Sequence, residues 1–202
     1  GDFPRQPKVK GKSSAIDADA VLQLIARTRY VVNANASKFV MKGTLLTLGG
    51  RVAAMVATDS RRLALATASR TGPDARFIVP AKALDALAEC LNGDCEVTVG
   101  DRHLFFSSAG RLLVSRTLEG EFPKYERIIP KDNSLALTVD RMDLAAALQR
   151  INLVSETNCA VYFDIRPGQL TLSSNSTEVG SADEVGPIAY DGQPLKVCIN
   201  GG

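Results

Sequence analysis

Gly43-Thr-Leu-Leu-Thr-Leu-Gly-Gly-Arg-Val-Ala-Ala-Met-Val-Ala-Thr-Asp59 aligns without a gap on Ala160-Val-Tyr-Phe-Asp-Ile-Arg-Pro-Gly-Gln-Leu-Thr-Leu-Ser-Ser-Asn-Ser176. Each stretch is an apolar run, a Gly-containing turn and a second run that ends in a polar pair. That is the pattern of a β-hairpin. Upstream, Ala15-Ile16-Asp17 matches Thr138-Val139-Asp140: a β-branched residue precedes an Asp able to cap a helix. Self-similarity at this spacing marks a repeated structural unit, here one strand, one helix and several strands.

The rest of the chain extends from these two anchors. Asp17 caps a helix over 18–28, with Val21, Leu22, Leu24 and Ile25 as its apolar set. Strand-like runs cover 38–48, 51–58 and 62–68, and Gly49-Gly50 forms the first turn. A loop spans 69–75. The pattern restarts at Phe77-Ile78-Val79, and Pro80 sits at the first helical position of a helix ending near Asn92-Gly93. Strands follow at 95–100, 103–108 and 111–118. A third start falls at 135–139, with a helix over 141–151 and strands at 160–165, 169–174 and 195–199. The small and acidic residues of 175–184 read as a loop. Gly1-Asp2-Phe3-Pro4 matches Gly120-Glu121-Phe122-Pro123, which closes a complete pair of modules. The chain therefore reads as a slice of a larger repeated protein, opening with the last residues of a preceding domain.

Composition narrows the classes. The 202 residues carry 24 Lys and Arg against 22 Asp and Glu, a net charge of +2, and 45% are hydrophobic. That excludes global disorder and a strongly basic surface, so any nucleic-acid role rests on local placement of charge. His103 is the only histidine, which excludes a site built on two. Cys90, Cys95, Cys159 and Cys198 form no Cys-x-x-Cys pair, which argues against zinc and suits free thiols in a reducing cytoplasm. No run of about 18 apolar residues is present, and the N-terminus is not a signal peptide.

Three strings then carry a resemblance. Ala57-Thr58-Asp59-Ser60-Arg61-Arg62-Leu63-Ala64 resembles the Ala-Thr-Asp-Gly-His-Arg-Leu-Ala signature of bacterial sliding clamps, the beta subunits of DNA polymerase III. Gly120-Glu121-Phe122-Pro123-Lys124-Tyr125 resembles the Gly-x-Phe-Pro-Asp-Tyr segment at the end of their middle domain. Phe77-Ile78-Val79-Pro80-Ala81-Lys82 resembles their helix-starting Val-Pro-x-Lys. The resemblance implies an α+β DNA-clamp fold: repeated strand-helix-strands modules with helices on one face of antiparallel sheets. It implies a tail of a preceding clamp domain or linker at 1–12, a complete middle domain at 13–128, a linker at 129–135 and a partial C-terminal domain at 136–202. The function implied is a non-catalytic processivity factor of the polymerase holoenzyme, which encircles duplex DNA as a homodimeric ring and needs no cofactor or metal. Polymerase, clamp loader and repair proteins would dock through short peptides, and the setting is the bacterial cytoplasm. The rival reading is a stand-alone peptide-binding adaptor that never encircles DNA.

By position, the resemblance assigns a peptide pocket to Met41, Thr58, Ser60, Arg61, Arg62, Leu63, Pro123, Arg127 and Ile128. Without the resemblance, 58–63 is a strand-to-strand turn with a solvated basic pair. Ser60 and Arg61 depart from the family's usual Gly-His, which alters the side chains offered to a peptide. The DNA-facing groups implied are Arg27, Asn35, Lys38, Lys82, Arg141 and Arg150; read plainly, they are a solvated loop and helix faces. Leu153 and Val154 are placed at the subunit interface, and otherwise read as core residues at a helix end. Catalytic patterns are poor. Asp85 and Glu89 are helical neighbours, the serine pairs lack a Gly-x-Ser-x-Gly elbow, and no phosphate-binding Gly-rich loop occurs.

Overall fold

The computed structural model describes residues 9, 11–33, 38–155 and 159–201. The chain divides into two compact units, Gly1–Lys124 and Tyr125–Gly202. The expected tail at 1–12 falls almost wholly outside the described residues, as does Asn35.

In the first unit, β1 (Lys12–Asp17) leads into α1 (Ala18–Thr28), and a hairpin-rich run gives β2 (Gly43–Gly49), β3 (Val52–Thr58) and β4 (Leu63–Ser69). The second module repeats this with β5 (Ala75–Pro80), α2 (Ala81–Cys90), β6 (Asp94–Val99), β7 (His103–Ser108) and β8 (Arg111–Arg116). The modules exchange their opening strands. The sheets are ordered β4-β3-β2-β5 and β1-β6-β7-β8, all antiparallel. Each sheet is thus completed by a strand from the other module. The apolar faces of α1 (Val21, Leu24, Ile25) and α2 (Leu84, Leu87) close one core with Leu46, Met55, Val79, Leu104 and Phe106. Asp17 caps α1 by accepting from the Ala20 N–H at 3.1 Å.

The second unit holds α3 (Arg141–Asn152), β9 (Ala160–Arg166), β10 (Gln169–Ser176), β11 (Gly180–Pro187) and β12 (Leu195–Asn200). Its sheet order, β11-β10-β9-β12, copies that of β4-β3-β2-β5. Register is copied as well: Gly43 pairs Pro80 where Ala160 pairs Asn200. Asp140 caps α3 by accepting from the N–H groups of Met142 (2.7 Å) and Asp143 (3.0 Å).

Four sequence expectations need correction. The run 38–48 is not all strand: Phe39–Lys42 is a 3-10 turn, closed by Met41 N–H to the Lys38 carbonyl at 3.0 Å. The apolar run was satisfied by burying Met41 in the turn, not by pleating. Residues 175–184 are not a loop. β10 extends to Ser176, whose hydroxyl accepts from the Glu178 and Val179 N–H groups, and β11 returns along it. The pairing overrides a composition poor in β-branched residues. The third start at 135–139 makes only the isolated bridge Thr138 to Ala189. Its counterpart β1 lies on β6, and the described residues of the second unit include no counterpart of β6. Finally, Pro80 ends β5 and flanks α2 rather than opening it.

Gly120 shows why its motif needs glycine. Its φ is +124°, and a Cβ there would lie 2.7 Å from Val40 Cγ1. This close approach brings the segment before Pro123 against the turn that carries Met41. Gly120→Ala should lower stability by about 1–3 kcal/mol, read as a drop in the urea midpoint; an unchanged midpoint would show that this contact carries no constraint.

Candidate functional site

The β3–β4 connection is four residues long, and Asp59 organises it. Its Oδ1 accepts from the N–H groups of Arg61 and Arg62, both at 3.0 Å, and its Oδ2 accepts from Arg62 Nε at 3.1 Å. Thr58, buried at the strand end, donates its hydroxyl to the Arg62 carbonyl at 2.9 Å and accepts from the Ser60 N–H at 3.3 Å. These bonds hold Ser60 at φ +75°, in the left-handed region that favours glycine. The departure from the family's glycine at this position is therefore accommodated at a conformational cost. The Ser60 hydroxyl lies 3.6 Å from Met41 Sδ and links the loop to the 3-10 turn.

Around this loop the first unit offers a mixed surface. Met41 is buried, Leu63 and Pro123 are half-buried, and Ser60, Arg61 and Arg62 are exposed. The Arg62 guanidinium lies over the ring of Tyr30, 5.9 Å from its centroid. The fold thus brings Met41, Thr58, Ser60, Arg61, Arg62 and Leu63 together. Arg127 and Ile128 belong to the second unit, at a 3-10 turn (Tyr125–Arg127) in which the Ile128 N–H donates to the Tyr125 carbonyl at 2.9 Å; both side chains are exposed.

Two site residues escaped the sequence reading. Asp59 stood in a polar string with no signal beyond its spacing to Arg62. Tyr30 gave none, because its contact with Arg62 spans 32 positions of sequence.

The cations implied to face DNA are distributed as follows. Arg27 on α1, Lys38, Lys82 on α2 and Arg141 on α3 are exposed. Arg150 is committed to Glu184 on β11, and the pair holds the arginine's pKa above and the carboxyl's below its ordinary value. Leu153 is 81% exposed in the turn after α3, not a core residue, and Val154 is half-buried. All four cysteines are free thiols, and burial, aided by Glu96, pushes Cys95 up to about 11. Among the described residues no group of three His, Cys, Asp or Glu side chains could hold a metal, and no helix is long and apolar enough to cross a membrane.

Strand-exchanged modules of this kind, with antiparallel sheets and their helices, define the α+β DNA-clamp fold. Family models agree: one described as the DNA polymerase III beta subunit, central domain, matches residues 15–124, and one for its C-terminal domain matches 126–201. The chain belongs to the DNA polymerase III beta subunit family. The beta sliding clamp of Caulobacter vibrioides is 31% identical over 215 residues, covering 99% of this chain and 57% of the relative. That of Chlamydia pneumoniae is 28% identical over 206 residues, covering 98% and 56%. The crystal structure of the Pseudomonas aeruginosa DNA polymerase III subunit beta superposes with a TM-score of 0.93 at 27% identity, covering 99% of this chain and 57% of that one. The chain spans little more than half the length of these relatives.

The loop makes a pH-dependent contribution to stability. Burial raises the Asp59 pKa, but the Arg62 and Arg61 N–H groups and the Arg62 guanidinium outweigh it and hold the carboxyl below its ordinary 3.8. A depressed folded value means that the contribution is complete above 3.8 and is lost as pH falls through the folded value. The stability difference between wild type and Asp59→Ala should therefore be largest at neutral pH and narrow below pH 3.8. Urea unfolding across pH measures it, and a gap that widens on acidification would reverse the assignment.

Proposed function

We propose that this chain supplies the middle domain and part of the C-terminal domain of a bacterial sliding clamp, the processivity factor of the replicative polymerase. The role is non-catalytic. In the full-length protein, two subunits would form a ring around duplex DNA, with Leu153 and Val154 at the subunit interface. Encirclement replaces tight binding, which makes a net charge of +2 compatible with work on DNA. Arg27, Asn35, Lys38, Lys82 and Arg141 are the proposed phosphate contacts, with Arg150 contributing through its exchange with Glu184. Contacts of this kind are independent of base sequence and weaken with salt. The proposed setting is the bacterial cytoplasm, at the nucleoid.

Partners are proposed to dock by short peptides at Met41, Thr58, Ser60, Arg61, Arg62, Leu63 and Pro123, with Arg127 and Ile128 assigned from their sequence correspondence. The observation that carries this reading is the Asp59-organised loop. It holds Arg62 in a fixed turn next to half-buried Leu63, with Ser60 of the same turn against Met41, the mixed chemistry a peptide with apolar anchors and an acidic part requires. Solved clamps of P. aeruginosa and Bartonella birtlesii are bound to griselimycin, which supports a ligand-binding surface in this family. The adaptor reading is less favoured, since the whole chain follows a clamp subunit's order of domains.

Titration with a short clamp-binding peptide should perturb the NMR signals of Arg62, Leu63 and Ile128. Arg62→Ala should weaken binding about tenfold, the loss of one charge-assisted contact, with the fold intact by circular dichroism. Undisturbed signals at millimolar peptide would remove the pocket. Duplex DNA, in contrast, should bind weakly at physiological salt and more tightly as salt is lowered; tight binding at physiological salt would show that the charge placement argued above is wrong.

A further inference from the structure

We infer that Tyr30 is a positioning residue for the docking site: its ring fixes the Arg62 guanidinium so that the arginine selects a carboxylate on the incoming peptide. This rests on the peptide-docking reading above and goes beyond it in naming the selecting pair and the chemistry selected.

Tyr30 sits in the 3-10 turn Arg29–Val31 that follows α1. It is 63% exposed, which is high for a large aromatic, yet its surroundings are firmly held. On one side Arg29 makes a two-pronged ion pair with Asp85 of α2, Nε at 2.7 Å and Nη2 at 2.9 Å. On the other side Val31 and Val32 are buried in a small cluster with Ala57, Ala64 and Ala81. Ala57 and Ala64 lie on β3 and β4, the two strands that launch the 59–62 loop. The turn carrying Tyr30 is therefore docked onto the same strands that present Arg62. An exposed aromatic on a fixed mount makes a platform rather than a core residue.

Arg62 is constrained twice. Its Nε donates to Asp59, and its guanidinium carbon lies over the Tyr30 ring, 5.9 Å from the centroid. Its two terminal nitrogens have no partner among the described residues. A guanidinium held by its Nε and set over an aromatic ring presents those nitrogens as a fork that matches a carboxylate's two oxygens. The ring also contributes attraction through its π face. Because the fork is held before binding, little side-chain entropy is lost when a carboxylate arrives. A neutral amide of the same shape cannot accept both N–H donors, so the pair discriminates Asp from Asn in the bound peptide.

Two measurements separate this inference from the docking reading itself. In the free protein, the Arg62 Nε–H resonance should feel the ring current. It should move in Tyr30→Leu and stay near its wild-type position in Tyr30→Phe. In the second, affinities are compared for acetyl-Leu-Asp-Leu-Phe-amide and its Asn counterpart by fluorescence competition. Tyr30→Leu should weaken the Asp peptide about threefold to fivefold, the scale of one cation–π contact, and leave the Asn peptide unchanged. Tyr30→Phe should restore wild-type discrimination, and adding Tyr30→Leu to Arg62→Ala should cost nothing further. An unmoved Arg62 resonance, or equal losses for the two peptides, overturns the inference while peptide docking stands. If neither peptide binds wild type, the docking reading falls and this inference with it.

Discussion

Strand exchange between the modules carries the architecture of the first unit. β5 opens the second module but pairs with β2, and β1 opens the first but pairs with β6. Neither module can complete its sheet alone, so their cores merge into one in which α1, α2 and both sheets share contacts. The exchange also sets the place of the first-unit residues proposed for docking. With β2 and β3 fixed by β5, the β3–β4 connection emerges at a defined point. Gly120, downstream of β8, meets Val40 beside the Met41 turn. The proposed docking surface is a local elaboration on a frame made rigid by non-local pairing.

The second unit shows what the exchange contributes, because its described residues hold only one side of it. Leu195, Val197 and Ile199 on β12 occupy the register positions of Ala75, Phe77 and Val79 on β5. Val79 is fully buried, beneath the helix and sheet of the second module. Ile199 is 47% exposed. The residue types are equally apolar, so the difference comes from what packs above them. Among the described residues nothing in this unit plays the part of α2 and β6 to β8. The same absence explains Leu135 and Leu137, which are exposed although their counterparts belong to a paired strand.

That comparison also explains which parts were legible in sequence. The hairpins β2–β3 and β9–β10 and the capped helices α1 and α3 depend on local signals: alternation, a Gly turn, an Asp cap. Apart from the start of β2, expected at 38 and observed at Gly43, their bounds follow from the sequence to within about two residues. β11 was missed because its ladder comes from its neighbour and not from its own small and acidic residues. The turn at Phe39–Lys42 was missed because a short apolar run does not show whether it is pleated or coiled. The site follows the same division. Thr58 through Leu63 could be located because the string is contiguous. Asp59's central role could not be read, since it depends on the backbone folding back so that two N–H groups meet one carboxylate. Tyr30 is more remote still, brought to Arg62 only by the packing of Val31 and Val32 onto β3 and β4.

Charge follows from these contacts too. A near-neutral chain could expose every basic side chain, but this one does not. Arg29 is spent on Asp85, where it braces α1 against α2, and Arg150 on Glu184, where it braces α3 against β11. Both pairs are solvent-accessible, so each adds little stability. Their larger effect is on the field. Each pair sets a carboxylate beside its guanidinium and so lowers the local positive field, though Arg150, like Arg27, Lys82 and Arg141, stays exposed. Arg62 is treated in the opposite way. Its carboxylate partner sets its orientation with the guanidinium over Tyr30, and among the described residues its terminal nitrogens have no partner, which the proposed directional contact with a peptide requires.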